Sequence, residues 1–267
     1  MMLYHIELGQ GPPLVLVHGM AASLNDWDLI LPRLAAAGRR VLAVDLLGHG
    51  DSPMPGDPDA YTITGLMESF EAWVEELALE KPFHLAGHSL GGCVCLAYAL
   101  NHPEFAAGLV LVNPLYKPSQ MLVPLTFLER FHRLGERILG SLPSGLVEQG
   151  AAWAPLYLDG IPTQVRRRKA RDLKRASPHI LRLANQIPDL SPRLAQVQAP
   201  VLLIWSDRDR TLAPASFPEL ASLLPDVTSR LALRCGHQTH IIRPQEVTAW
   251  MLEFLEQNAD RGSKPDE

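Results

Sequence analysis

The amino-acid sequence predicts an α/β fold, with a mostly parallel, doubly wound sheet and a helical lid inserted after its fourth predicted strand. Short, continuous apolar runs alternate with segments of helical periodicity, which is typical of parallel strands covered by helices on both faces. Several runs end in glycine or polar residues, as strands do where they enter loops. The alternation stops between residues 114 and 199, where prolines are frequent and helical patterns occur without a convincing strand.

The first half of the chain contains two predicted strands and two predicted helices. PLVLVHG (13–19) is a buried strand stopped by glycine, and LNDWDLILPRLAAAG (24–38) has the apolar spacing of a helix. RVLAVDLLGHGDS (40–52) is a second strand that runs into a glycine-rich loop. Residues 63–79 repeat apolar side chains at helical spacing.

The remaining elements complete a sheet of six predicted strands. In chain order they are the strand FHLAGHS (83–89), the helix LGGCVCLAYALNHP (90–103), the strands GLVLVNP (108–114), APVLLIWSD (199–207) and VTSRLALRCGH (227–237), and the closing helix EVTAWMLEFLEQ (246–257). In such sheets the ligand crevice lies beyond the carboxyl ends of the strands, so polar residues there are the candidates for chemistry.

The 267 residues therefore form one predicted domain with an insertion. Residues 1–113 and 200–258 form the core, 114–199 the helical lid and return connection, and 259–267 a frayed tail. With 47% apolar and 20% charged residues, the chain can bury a sizeable core.

Composition and local patterns exclude several classes of function. A net charge of −5 argues against nucleic acid as a partner. No apolar run approaches the ~18 residues of a membrane span, and the start of the chain lacks a secretory signal pattern. Of three cysteines, Cys93 and Cys95 point in different directions on one predicted helix, so we expect no disulfide there and a cytoplasmic location.

The segment HLAGHSLGGC (84–93) holds the candidate nucleophile. Ser89 lies between a predicted strand and a predicted helix, with Gly87 and Gly91 two residues away on either side. A sharp strand-to-helix turn brings backbone so close that a Cβ at either glycine would clash, and it exposes the serine hydroxyl at the sheet's carboxyl edge. The helix that follows directs its amide groups toward that hydroxyl.

A serine nucleophile needs a base and a group that orients the base, each at another strand's carboxyl end. His237 follows the last predicted strand and is favoured over His240, which already belongs to the segment leading into the closing helix. Asp207 and Asp209 both follow the fifth strand, and either could be the acid. The chain order serine, acid, histidine is the one expected on a doubly wound sheet.

An oxyanion that develops on a substrate carbonyl needs two backbone N–H donors. Leu90, directly after Ser89, is one candidate. The second is Met20, which follows His18 and Gly19 in the loop after the first predicted strand.

Taken together, these motifs resemble the α/β-hydrolase superfamily, and the resemblance covers nearly the whole chain. HG after the first strand, DLLGHGDS, GHSLGG, LLIWSDRD and CGH occur in the family's order. The resemblance implies the α/β-hydrolase fold, selects His237, and assigns Met20 to the oxyanion hole. It also favours Asp209, although Ser206 stands where the family usually has a glycine. The motifs are most similar to the lid-bearing esterase, lactonase and carbon–carbon hydrolase branches.

Other polar and apolar residues are weaker candidates. His88 and several side chains of the predicted lid could contact substrate, although packing within the lid explains the apolar ones equally well. RRRKARDLKR (166–175) is a basic helix whose arginines could face solvent, bind a substrate carboxylate or touch an anionic membrane. His18, His49 and Asn113 are expected to be structural. Neither H-E-x-x-H nor clustered Cys/His spacing occurs, so no metal site is expected. The candidate substrate contacts are Leu122, Leu125, Phe127, Trp153, Arg167 and Arg171.

The sequence thus predicts a serine hydrolase that cleaves esters of small to medium organic acids through an acyl-enzyme, without a cofactor. Ser89 is the nucleophile, His237 the base and Asp209 the acid. Two alternatives stay open: a carbon–carbon hydrolase or lyase that uses the same triad on an anionic substrate, and a ligand receptor of the same fold.

Overall fold

The structure is a computed structural model that describes residues 2–122, 141, 143, 146 and 161–258. In the described part the strands are β1 (His5–Leu8), β2 (Pro13–Val17), β3 (Arg40–Val44), β4 (Phe83–His88), β5 (Ala106–Val112), β6 (Val201–Ser206) and β7 (Val227–Ala232). The α-helices are α1 (Leu31–Ala36), α2 (Ile63–Glu76), α3 (Leu90–Asn101), α4 (Thr163–Arg175), α5 (Ser216–Leu223), α6 (Thr239–Ile242) and α7 (Pro244–Gln257).

The strands form one sheet in the order β1-β3-β2-β4-β5-β6-β7. β1 is antiparallel to β3, and every other neighbouring pair is parallel. The sequence analysis predicted six strands and missed β1, because this four-residue edge strand is only partly buried and carries no apolar run. β3 lies on one side of β2 and β4 lies on the other, so the strand order reverses between β2 and β4. The carboxyl ends of these two strands therefore flank the crevice where such folds bind ligands.

Each face of the sheet is covered by its own apolar cluster. Alternate residues of β2 illustrate this, since Val15 and Val17 pack toward α2 and α3, whereas Leu14 and Leu16 pack toward α1 and α7. Burial on both faces explains why the central strands are continuously apolar. The prediction of a doubly wound, mostly parallel sheet is confirmed.

The described part of the predicted lid region is helical. It contains α4 and 3₁₀ helices at Pro118–Gln120, Pro178–Gln186 and Ser191–Gln196. The predicted division into core and lid stays a prediction, because much of residues 123–160 lies outside the described part. No helix among the described residues has both the length and the apolar character needed to cross a membrane.

Candidate active site

The turn between β4 and α3 holds Ser89 in a strained conformation. Its φ of 51° and ψ of −114° lie in a region that non-glycine residues rarely occupy. A Cβ on Gly87 would lie 2.2 Å from the Gly91 carbonyl oxygen, and one on Gly91 would lie 2.3 Å from the Val17 carbonyl oxygen. The two glycines are therefore required by close backbone approach. Ser89 is 9% exposed, at the carboxyl edge of the sheet.

An acid–imidazole pair lies at the same edge. Asp209 follows β6 and His237 follows β7, and His237 Nδ1 lies 2.7 Å from Asp209 Oδ2. Asp209 Oδ1 accepts hydrogen bonds from the backbone N–H groups of Thr211 (2.8 Å) and Leu212 (2.9 Å). Burial opposes ionisation of this carboxyl, but the charge and hydrogen bond of His237 and the two N–H donors outweigh it and lower the pKa of Asp209.

A polar network surrounds this carboxylate. Asn113, which follows β5 with a φ of 42°, donates from Nδ2 to Asp209 Oδ2 (3.0 Å) and to Ser206 Oγ (2.8 Å). Its Oδ1 accepts from the Thr239 hydroxyl (2.6 Å), and the Ser206 hydroxyl donates to the Gly236 carbonyl (2.9 Å). Asn113 thus joins the loops after β5, β6 and β7 around the carboxylate. Sequence reasoning expected Asn113 to be structural but did not find these partners, which meet only in three dimensions.

The alternative acid and the alternative base lie elsewhere. Asp207 is exposed, and its Oδ1 accepts a 3.4 Å hydrogen bond from the Cys235 N–H. His240 is fully buried, and neither of its ring nitrogens has a hydrogen-bond partner among the described residues. The geometry therefore joins His237 to Asp209 and leaves Asp207 and His240 outside the pair.

His88, the residue before Ser89, contacts His237. The His88 Nε2 lies 3.1 Å from the His237 carbonyl oxygen, and the two rings are 4.7 Å apart between centroids. Within the described part of the chain, the Ser89 hydroxyl forms no hydrogen bond to His237. Such contacts are often loose without substrate and tighten when one binds.

The loop after β2 passes directly over the serine. A Cβ on Gly19 would lie 3.2 Å from Ser89 Cβ. His18 places Nδ1 2.7 Å from the Gly19 carbonyl oxygen and accepts the Leu46 N–H at Nε2 (3.0 Å), which assigns the ring proton to Nδ1. His49 accepts the Ala21 N–H at Nε2 (3.2 Å). The expectation that His18 and His49 are structural is confirmed, whereas the oxyanion roles of Met20, half-buried, and Leu90, buried, stay predictions.

The basic segment forms α4 and docks on the core through ion pairs. Arg168 pairs with Asp28, Lys169 with Asp26, and Arg175 with Asp51. Arg168 thus contacts the core.

The predicted substrate contacts have different outcomes. Arg167 and Arg171 are exposed, and their role in substrate binding stays a prediction. Leu122 is half-buried, and its N–H donates to the Thr211 carbonyl (3.2 Å), two residues beyond Asp209. Leu125, Phe127 and Trp153 lie outside the described residues.

Sequence reasoning expected no metal site, but the described residues include one group with the donor set of such a site. Asp26, His88 and His240 are buried, and their ligand atoms lie within 4.8 Å of one another. Burial lowers the pKa of both histidines well below the usual value, so both rings are neutral near pH 7.

The comparison with protein families agrees with this architecture. A family model described as the alpha/beta hydrolase fold matches residues 12–244. The chain belongs to this family. It is similar to bifunctional epoxide hydrolase 2 of Sus scrofa (24% identity over 96% of the chain), although it spans only 54% of that protein's length.

Two other similar proteins match over nearly their full length. The pimeloyl-[acyl-carrier protein] methyl ester esterase of Aeromonas hydrophila is 27% identical over 93% of this chain and 97% of its own. The solved structure of a thermophilic esterase from Thermogutta terrifontis has a TM-score of 0.81 at 22% identity, covering 96% of this chain and 93% of the esterase. The second match supports the fold alone. The prediction of an α/β-hydrolase fold is confirmed.

Proposed function

We propose that this α/β-hydrolase-fold protein is a serine hydrolase that cleaves carboxylic esters of small to medium organic acids. The observation that carries the proposal is the 2.7 Å contact between His237 and Asp209, at the sheet edge where Ser89 is held with a positive φ. A strained serine, an imidazole and a buried carboxylate at one edge form the arrangement that activates a hydroxyl for acyl transfer.

The proposed reaction has two stages. In the first, His237 Nε2 accepts the Ser89 proton while Oγ attacks the ester carbonyl, and the imidazolium then protonates the departing alcohol. In the second, water loses a proton to His237, attacks the acyl-enzyme and releases the acid. Asp209 holds the Nδ1–H tautomer and stabilises the imidazolium, and the Leu90 and Met20 amides stabilise the oxyanion in both stages.

The serine also argues for esters over epoxides, the substrate class in the name of one relative. A serine that opened an epoxide would be left as an ether, which water does not cleave under mild conditions. An acyl-serine ester is cleaved by water with the same base, so only an acyl substrate allows turnover.

The predicted alternatives make different demands on the lid. A carbon–carbon hydrolase with an anionic substrate would need a free cation near Ser89, yet Arg168, Lys169 and Arg175 of α4 are paired with carboxylates of the core. This pairing removes three cations of α4 as substrate ligands, and Arg167 and Arg171 stay the candidates for such a contact. A panel of p-nitrophenyl esters and carboxylated carbon–carbon substrates tests the choice, and binding of either without turnover would indicate a receptor.

Labelling with a fluorophosphonate probe tests the nucleophile. We expect the wild type to be labelled at Ser89 and Ser89→Ala to be unlabelled and inactive. Equal labelling of both proteins would show that another residue is the nucleophile.

A matched pair of variants tests the acid. Asp209→Asn should lower kcat about 10⁴-fold because the imidazolium loses its anionic partner and the tautomer is no longer fixed. Asp207→Asn carries the same chemical change on an exposed side chain and should lower kcat by less than about threefold. A larger effect of Asp207→Asn than of Asp209→Asn would contradict the assignment.

A further inference from the structure

Three buried side chains from separate segments meet beside the elbow. Asp26 lies in the 3₁₀ helix Leu24–Trp27, which follows the loop over Ser89, His88 ends β4, and His240 lies in α6. None is more than 3% exposed, and their potential ligand atoms lie within 4.8 Å of one another.

The hydrogen bonds of this group leave four polar atoms without partners among the described residues, and at least three of them are acceptors. His88 Nε2 contacts the His237 carbonyl oxygen (3.1 Å), which can only accept, so Nε2 carries the proton and Nδ1 presents a lone pair. Asp26 Oδ1 accepts from Lys169 Nζ (2.6 Å), whereas Asp26 Oδ2 has no partner. His88 Nδ1 and both ring nitrogens of His240 are also without partners among the described residues.

Leaving such atoms buried and unpaired is unfavourable, which indicates that a bound species occupies the space between them. Two imidazole nitrogens and a carboxylate oxygen are a common ligand set for Zn²⁺. A ligating histidine usually donates its other N–H to a carbonyl, and a ligating carboxylate usually accepts a further hydrogen bond on its second oxygen. His88 and Asp26 already have these outer contacts.

We propose that Asp26, His88 and His240 bind one Zn²⁺ ion, through Asp26 Oδ2, His88 Nδ1 and one ring nitrogen of His240. Zinc bonds of about 2.1 Å in a tetrahedral site place ligand atoms ~3.4 Å apart, so small side-chain rotations are enough to close the group. A fourth position remains for water. The chain segments are far apart in the sequence, which is why ligand spacing did not predict the site.

The ammonium of Lys169 does not prevent such binding. It contacts Asp26 Oδ1, and Oδ2 is left for the ion. A second buried carboxylate, Asp172, lies one turn further along α4, and its side chain accepts from Asn25 Nδ2 (3.3 Å).

The ion would connect three parts of the candidate active site. It would link the segment after the oxyanion loop, the residue before Ser89 and the helix after His237. His88 and His240 would then be positioning residues, because they contact none of the reacting atoms.

Metal content and metal spectroscopy test the site without any assay of hydrolysis, so failure here would leave the proposed function intact. Protein stripped with a chelator is dialysed against Zn²⁺, and bound metal is counted. We expect one tightly bound ion per chain, a higher Tm with Zn²⁺ than without it, and an X-ray absorption spectrum with nitrogen and oxygen ligands that include two imidazoles.

Four variants locate the ion. His240→Phe, which keeps an aromatic ring against Trp27, and Asp26→Asn should each lose it. The double variant His5→Gln/His102→Gln removes partly exposed histidines elsewhere and should keep it. Lys169→Met should bind Zn²⁺ at least as tightly as the wild type, because it removes a neighbouring positive charge.

One ordered water molecule could satisfy the same atoms, and the experiment separates the two. Absence of a stoichiometric ion, or binding that survives His240→Phe and Asp26→Asn but disappears in the double variant, would overturn the proposal. Should neither ligand variant fold, the wild-type absorption spectrum decides, because a shell without two imidazoles would equally overturn it.

Discussion

Two regions on either side of Ser89 use histidine in opposite ways. On one side, His237 contacts Asp209, whose oxygens also accept from Asn113 and from two backbone N–H groups. On the other side, His240 and His88 lie against Asp26 with three ring nitrogens unpartnered in the described structure. The two histidines of the segment after β7 are only three residues apart, so it is their partners that give them different roles.

The difference indicates what each region is built to hold. On the Asp209 side, both carboxylate oxygens have hydrogen-bond partners. On the Asp26 side, one carboxylate oxygen and three ring nitrogens have no hydrogen-bond partner among the described residues. Substitutions on the Asp209 side should therefore lower hydrolytic activity, whereas substitutions on the Asp26 side should change bound metal more than activity.

The largest expected effect separates His237 from His240. His237→Gln should lower kcat/KM about 10⁴-fold or more, because His237 is the base of the proposed triad. His240→Phe should lower it by less than about tenfold, because that side chain contacts no reacting atom. Steady-state kinetics with a p-nitrophenyl ester measures both.

An equal loss of activity in the two variants, with both still folded by circular dichroism, would contradict this difference between His237 and His240. A comparable loss would mean that His240 takes part in the chemistry. Fluorophosphonate labelling of His240→Phe is the control, since an intact Ser89–His237 pair should still react.

Substitution of Asn113, on the Asp209 side, should lower activity less than substitution of His237. Asn113→Ala removes the donor to Asp209 Oδ2 and one hydrogen-bond partner each of Ser206 and Thr239, so we expect kcat to fall about 10- to 100-fold. Asn113→Asp should lower kcat further, because a second carboxylate 3.0 Å from Asp209 raises the pKa of Asp209. The pH profile of kcat for this variant should therefore shift to higher pH. Unchanged kcat in both variants would show that the network serves only folding.

His84, far from both regions, is a buried histidine with one ring nitrogen unpartnered among the described residues. It tests how much stability such a residue loses at low pH. Burial, and to a lesser extent the charge of Arg39, lower its pKa to about 4. The folded pKa lies below the unfolded value, so stability is complete above about pH 6.5 and falls as the pH decreases toward 4.

His84→Gln removes this titration. Between pH 7 and pH 5 the free energy of unfolding of the wild type should therefore fall by about 2 kcal/mol more than that of the variant. Urea unfolding at the two pH values measures the difference. An equal fall in both proteins would show that His84 is already protonated in the folded state at pH 5.

The sequence was sufficient for the parts of the molecule that local pattern controls. Apolar runs predicted the central strands, and the glycines at 87 and 91 predicted the elbow, because close backbone approach imposes a residue type at a fixed spacing. The edge strand β1 was missed, since a partly exposed four-residue strand has no such pattern.

Contacts between distant segments could not be predicted. The donors around Asp209 and the group formed by Asp26, His88 and His240 come from loops that are separated by up to 214 residues in the sequence. Spacing along α4 also did not indicate that Arg168 would pair with Asp28, because this contact depends on how the helix docks on the core.

The smallest expected effect concerns the exposed ion pair of α4. Arg175 and Asp51 are each about half exposed, whereas Lys169 and Asp26 are almost fully buried. Solvent screens the exposed pair, and ordering two side chains offsets much of its Coulomb energy, so Arg175→Gln should lower the free energy of unfolding by less than about 1 kcal/mol. A double-mutant cycle with Asp51→Asn, repeated at high salt, isolates the pair. A coupling energy above that bound, or one that salt leaves unchanged, would show that α4 is held as much by its exposed edge as by its buried one.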